Sequence, residues 1–198
     1  MNGRARLLLF AVLLVAAGVG AYTLGTRLRP PGELAGTALQ NPPAVGGVEL
    51  VHVDRGTLTL REAAGDVPVT LVFFGFTQCP DVCPITMARL AKIYRDLGEP
   101  EGVQVVMITV DPETDTPDVV ARYAAGFHPD FLGLGGSNAQ IAVAARTFYV
   151  GYASLGGGQY THTDVVAVVD REGRMRYVYG NDRVPQFEVD LPELLRIL

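Results

Sequence analysis

Residues 70–97 constrain the fold more than any other stretch: a β-branched and aromatic run, a turn holding two cysteines, then an amphipathic helix. Thr70 to Phe74 (TLVFF) reads as a buried central strand, because a strand covered on both faces is apolar throughout instead of alternating. Cys79 and Cys83 follow in FTQCPDVCP. Beyond them Ile85, Met87, Leu90, Ile93 and Leu97 recur at helical intervals, and Gly98 ends the helix. Pro84 has no amide hydrogen to lose, so the helix is expected to start there with proline in its first position. Cys83 is then pushed out of the α region. Both thiols lie at a helix N-terminus, where free amides and the positive end of the dipole favour the thiolate.

The rest of the chain repeats this alternation. Val48 to Leu60 reads as a β-hairpin around Asp54-Arg55-Gly56, and Val103 to Val110 as a second buried strand. Thr116-Pro117 opens a helix that runs to about Phe127. Phe131 to Leu134 is a short strand. Ser137 to Tyr149 is a helix with Ile141, Val143, Ala144 and Phe148 inside. Val165 to Val169 and Arg174 to Tyr179 form a hairpin around Asp170-Arg171-Glu172-Gly173, and Asp190 to Leu198 is a closing helix. Strands alternating with helices, then a hairpin and a last helix, make an α/β domain with a mixed sheet. The order is that of a thioredoxin-like fold with an N-terminal β-hairpin and an insertion between Ala125 and Asp164, before the histidine-bearing strand.

Ahead of this domain, assigned to residues 48–198, lie two segments of different character. Leu7 to Gly25 carries no charge and is long enough for a membrane-crossing helix of about 20 residues. A secretory signal would have a shorter apolar region and a clear small-residue cleavage site, and Val19-Gly20-Ala21 is a weak one. Residues 1–29 are therefore expected to form an uncleaved single-pass anchor in the cell membrane. Arg4 and Arg6 balance Arg27 and Arg29, and the free amino group tips the N-terminus inward, which puts the domain on the extracytoplasmic (periplasmic) side. Residues 30–47, rich in Pro and Gly without apolar periodicity, read as a linker. Without residues 1–29 the chain keeps 12 basic and 21 acidic side chains, a net charge of −9. Such a surface repels nucleic acid, and no basic groove is evident.

The two cysteines are the only ones, four residues apart. A disulfide closing so short a loop stabilises less than a long-range bridge, so a structural role explains the spacing poorly. At helical spacing their Cβ atoms lie roughly 5–6 Å apart, close enough to share one metal ion. Thiolates are soft ligands that suit Cu(I), zinc or iron–sulfur centres. Structural zinc and iron–sulfur centres ordinarily need four protein ligands. With two cysteines and three histidines, a three-coordinate copper site fits best. His52 sits within the first hairpin and reads as a strand-surface residue. His128 ends a helix before Pro129, where it can cap carbonyls. His162 follows the Gly-rich stretch Leu155 to Gln159 and precedes the strand Val165–Val169. In a thioredoxin-like sheet the start of that strand lies beside the cysteine turn, which makes His162 the candidate third ligand.

At this point the sequence resembles the Sco (SenC/PrrC) family, whose members help assemble the binuclear copper site of cytochrome c oxidase. FFGFTQCPDVCPITM, Phe73 to Met87, matches the family's F/Y-G-x-T-x-C-P-D-x-C-P block. TVDPETDTPDVVARYAAGF, Thr109 to Phe127, resembles its D-P-x-x-D-T-P block, FLGLGGS follows in order, and His162 in YTHTDVVAVVD stands at the position of the metal-binding histidine. Thr163 where many members have Ser, and Gln78 where His is common, are mild departures at positions that are not ligands. The resemblance implies that Cys79, Cys83 and His162 bind copper as Cu(I) or Cu(II). It also implies a copper-binding oxidase subunit as partner, together with a thiol reductant and another copper chaperone. Two roles stay open, copper delivery and reduction of the target's cysteines, since both need a reactive thiolate.

Two other readings compete. A general thiol-disulfide oxidoreductase would carry C-x-x-C and a proline before the penultimate-hairpin strand; this chain has C-x-x-x-C and no proline between Pro129 and Pro185. A peroxiredoxin-like thiol peroxidase places Thr three and Pro seven residues before its reactive cysteine, where Phe76 and Val72 stand here.

Overall fold

In chain order the elements are β1 (Thr37–Ala38), β2 (Glu49–His52), β3 (Gly56–Thr59), α1 (Leu60–Ala64), β4 (Val69–Gly75) and α2 (Val82–Asp96). Then come β5 (Val103–Thr109), α3 (Pro117–Ala125), β6 (Leu132–Leu134), α4 (Asn138–Thr147), β7 (Tyr152–Gly156) and β8 (Gln159–His162). The chain closes with β9 (Val165–Asp170), β10 (Met175–Gly180), a 3-10 turn (Asn181–Gln186) and α5 (Phe187–Ile197). The computed structural model describes residues 33–156 and 159–198. The expected anchor over residues 1–29 lies outside the described residues, among which no helix is long and apolar enough to cross a membrane.

A six-stranded sheet runs β1-β10-β9-β4-β5-β6. β4 and β5 are parallel, as are β5 and β6, whereas β9 pairs antiparallel with β4 and β10 with β9. β4 is buried at every position, as its unbroken apolar run requires. This is the mixed sheet of a thioredoxin-like fold, and the two expected hairpins are present as β2–β3 and β9–β10. Helix α3 lies so close to β6 that a Cβ on Gly133 would meet the Val120 carbonyl oxygen at 2.1 Å. Only glycine permits that approach.

Several boundaries differ from the sequence reading. Residues 35–47 are not a linker, since Ala35–Leu198 forms one compact unit. Thr37 and Ala38 pair with Val178 and Tyr177 at the sheet edge, and Val45 is fully buried. Backbone pairing at an edge leaves no apolar periodicity in the sequence, so composition alone read as linker. Helix α2 starts at Val82, two residues ahead of Pro84. Proline is tolerated there because the amides of a helix's first turn lack intrahelical acceptors, and Cys83 is accordingly helical. Val143 faces outward at 46 % exposure, against the expectation that it is internal, and Ile85, one of the apolar positions at helical spacing, is 42 % exposed. Tyr152–Gly156 and Gln159–His162, on either side of residues 157–158, form a two-stranded ribbon, β7–β8, in which His162 pairs with Tyr152. Helix α1 was missed, although Thr59 and Glu62 form a capping box at its start.

Candidate metal centre

Each candidate side chain is placed by a different element. β4 ends at Gly75, Phe76 leaves the sheet fully packed, and Thr77 turns the chain toward Cys79. Asp115 fixes that turn. Its buried carboxylate accepts from the Thr77 amide at 2.8 Å, from the Thr77 hydroxyl, and from the Thr109 hydroxyl at 2.8 Å. The cysteine loop is thereby tied to the loop joining β5 to α3.

Cys83, buried in the first turn of α2, projects back against β4. A Cβ on Gly75 would sit 3.0 Å from its sulfur, so the missing side chain leaves room for the thiol. Cys79 is half-buried, and its Sγ accepts from the Cys83 amide at 3.4 Å. Both cysteines are free thiols.

His162 closes the arrangement from the end of β8. Its Nε2 lies 3.6 Å from Cys83 Sγ. The ring stands edge-on to Phe73 and Phe76, with centroids 6.0 and 6.3 Å away. Its Nδ1 lies 3.1 Å from the Thr163 carbonyl oxygen. A carbonyl can only accept, so Nδ1 carries the proton and Nε2 turns its lone pair to the sulfur. The structure therefore brings Cys79, Cys83 and His162 to one helix mouth, although 79 residues separate Cys83 from His162. Among the described residues, no trio of His, Cys, Asp or Glu already surrounds one point; the donors are gathered there without being closed on each other. Two soft sulfurs and one imidazole nitrogen suit a single soft cation.

His52 and His128 are elsewhere. His52 accepts from the Asp54 amide in the first hairpin turn. His128 is buried against Tyr94 and Phe131 and bonded to Glu99 and the Asp130 amide, a packed core histidine whose ring nitrogens meet these groups and not the helix carbonyls expected from the sequence.

Sequence reasoning missed three polar contributors. Asp115 and Thr77 were visible only as letters in two separate blocks. Asp164 is half-buried beside His162 and Cys83, with Oδ1 unpartnered; burial pushes its carboxyl upward, while His162, Asn181 and Arg89 act the other way. Asn181 is in turn held by the Thr86 hydroxyl at 3.0 Å.

The SCO1/SenC family model matches residues 39–190 of this chain. The chain belongs to the SCO1/SenC family. It is 32% identical to an SCO2-like protein of Rickettsia felis over 186 residues, covering 88% of this chain and 90% of that one. Its fold is similar to the solution structure of apo Sco1 from Thermus thermophilus, at 39% identity and a TM-score of 0.70 over 86% of this chain and all of that one. It is likewise similar to Arabidopsis thaliana ScoI with copper bound, at 30% identity and a TM-score of 0.69 over 78% of this chain and all of that one.

In this SCO1/SenC member the thiol chemistry departs from the sequence reading at Cys83. Burial pushes that thiol far above its ordinary range, and the Cys79 contact adds to the effect; the Phe76 amide acts the other way, and the charges on Cys79 and Asp164 raise it further. The helix N-terminus does not outweigh burial, so Cys83 is a thiol when no metal is bound. The unfolded chain ionises this cysteine near pH 8.5 while the folded one does not. Above that pH the unfolded state binds fewer protons, and stability falls as pH rises. Thermal unfolding of the reduced, metal-free protein is expected to show a melting temperature that declines between about pH 8 and pH 9.5. Cys83→Ala should flatten that slope; an unchanged slope would mean that Cys83 ionises alike in both states.

Proposed function

We propose that this chain is a copper-binding assembly factor for the binuclear copper site of cytochrome c oxidase, with Cys79, Cys83 and His162 as the copper ligands. The contact of 3.6 Å between Cys83 Sγ and His162 Nε2 carries this reading. Membership of the SCO1/SenC family and the copper held by the Arabidopsis thaliana relative support it. Copper is cargo in this reading. A bound cation displaces the thiol protons, which lets the buried Cys83 act as a thiolate despite its surroundings. Delivery proceeds by ligand exchange with the copper-binding oxidase subunit, and another copper chaperone reloads the site. The run Leu7 to Gly25 tethers the chain as a single-pass anchor, with the domain on the extracytoplasmic side of the cell membrane.

A second role rests on the unequal burial of the thiols. Half-exposed Cys79 can attack a disulfide on the target, and Cys83, whose amide touches the Cys79 sulfur, can resolve the mixed disulfide. Two electrons and two protons then pass to the target cysteines, leaving a Cys79–Cys83 disulfide for a thiol reductant to reopen.

The test mixes reduced protein, copper-loaded or metal-free, with the oxidised, apo copper domain of the oxidase subunit. Copper transfer without prior thiol release supports delivery. Release of target thiols by metal-free protein supports reduction. Neither transfer nor release would overturn both.

A further inference from the structure

The ribbon β7–β8 forms a two-stranded sheet apart from the six-stranded one. Such a hairpin is only marginally stable by itself, yet this one carries His162 at its end. At its base the Thr163 amide donates to the Gly151 carbonyl at 2.8 Å, and the Gly151 amide donates to the Thr163 hydroxyl at 3.1 Å. Those bonds close the ribbon on itself without fastening it to the cysteine turn. Ring contacts make that second attachment. Side chains two residues apart in a strand share a face, and Tyr160 and His162 both meet Phe76 from β8. The Tyr160 ring centroid lies 5.7 Å from that of Phe76, with the planes at 57°, and the His162 centroid lies 6.3 Å from it. Phe76 is itself held fast. It is 2 % exposed, and its carbonyl accepts from the Cys79 amide at 3.3 Å. One buried residue thus bears on the ribbon with its ring and on the cysteine loop with its backbone.

We infer that Tyr160 is a positioning residue: its ring, seated on Phe76, holds β8 over the cysteine turn and keeps the His162 imidazole within reach of the sulfurs. A ribbon that lifts away leaves two thiols without their nitrogen donor. Apparent affinity then falls in proportion to the fraction of molecules whose ribbon is seated. The inference rests on the copper reading above and extends it to a residue outside the ligand set.

The test compares wild type, Tyr160→Ala and Tyr160→Phe by competition titration with chelators of Cu(II) and of Cu(I). Tyr160→Ala should bind Cu(II) about 3- to 10-fold more weakly, the change that loss of one aromatic pair brings. Cu(I), which two thiolates suit better than Cu(II), should lose less. Tyr160→Phe keeps the ring and gives up the hydroxyl, which lies beside Asp111 and Ser154; it should bind Cu(II) like wild type. Wild-type affinity in Tyr160→Ala would overturn the inference, and so would an equal loss for both ions. A Tyr160→Phe variant as weak as Tyr160→Ala would also overturn it, since the hydroxyl and not the ring would then hold the ribbon. In metal-free wild type, proton NMR should show nuclear Overhauser contacts between the Tyr160 and Phe76 rings. Their absence would overturn the inference even if Tyr160→Ala fails to fold. Wild type that takes up no copper would overturn the copper reading and the inference with it, whereas normal uptake by both wild type and Tyr160→Ala overturns the inference alone.

Discussion

Replacing His162 by Ala is expected to weaken Cu(II) binding by more than about 100-fold, because even outer-shell partners of metal ligands are worth 10–100-fold and His162 is proposed as a ligand. Two thiolates alone suit Cu(I) better than Cu(II), so the loss for Cu(I) should be smaller. The ring is half-exposed at the end of β8, and among the described residues it meets the Thr163 carbonyl, the Cys83 sulfur and the edges of two phenylalanines, with the Asp164 carboxyl nearby. Stability of the metal-free variant should therefore stay within about 0.5 kcal/mol of wild type, as for ordinary surface changes. Competition titrations with chelators of each oxidation state measure the first effect, and denaturant unfolding measures the second. Unchanged Cu(II) affinity would remove His162 from the site.

The largest stability effect is expected at Asp115, far from the donors in sequence. Asp115→Ala strands the buried Thr109 hydroxyl and, beside it, the half-buried Thr77 amide and hydroxyl. An unsatisfied buried group costs about 1–3 kcal/mol and a half-buried one less, so destabilisation of about 2 kcal/mol should appear in denaturant unfolding. The same loss frees the loop that carries Cys79, and copper should dissociate faster from the variant than from wild type. Asp115→Asn keeps one acceptor oxygen but turns an amide group toward donors, and should fall between the two. A variant as stable as wild type would show that water replaces the carboxylate without cost.

The core of the domain was legible because buried elements write themselves into periodicity. β4, β5 and β9 appear as near-continuous apolar runs, the Asp170–Gly173 turn marks the β9–β10 hairpin, and Thr116-Pro117 and Ser137 mark helix starts through capping chemistry. Elements held mainly by backbone pairing, such as β1 and the β7–β8 ribbon, leave no such pattern. Neither strand of the ribbon was therefore anticipated, and residues 35–47 read as a linker. At the site, the donors could be named from residue type, spacing and strand position. Their environment could not. Burial at Cys83 reverses the thiolate preference expected from its helix position, and burial depends on Gly75, Phe76 and the sheet behind them. Asp115 reaches Thr77 across 38 residues, and nothing local in either block says that the two meet.

The account stands on two sulfurs and one imidazole nitrogen sharing a single copper ion. X-ray absorption at the copper edge of the Cu(I)-loaded wild-type protein tests this most directly. The expected first shell holds two sulfur scatterers and one nitrogen, with the outer-shell signature of an imidazole ring that disappears in His162→Ala. A first shell of sulfur alone, or an imidazole signature that survives in the variant, would contradict it.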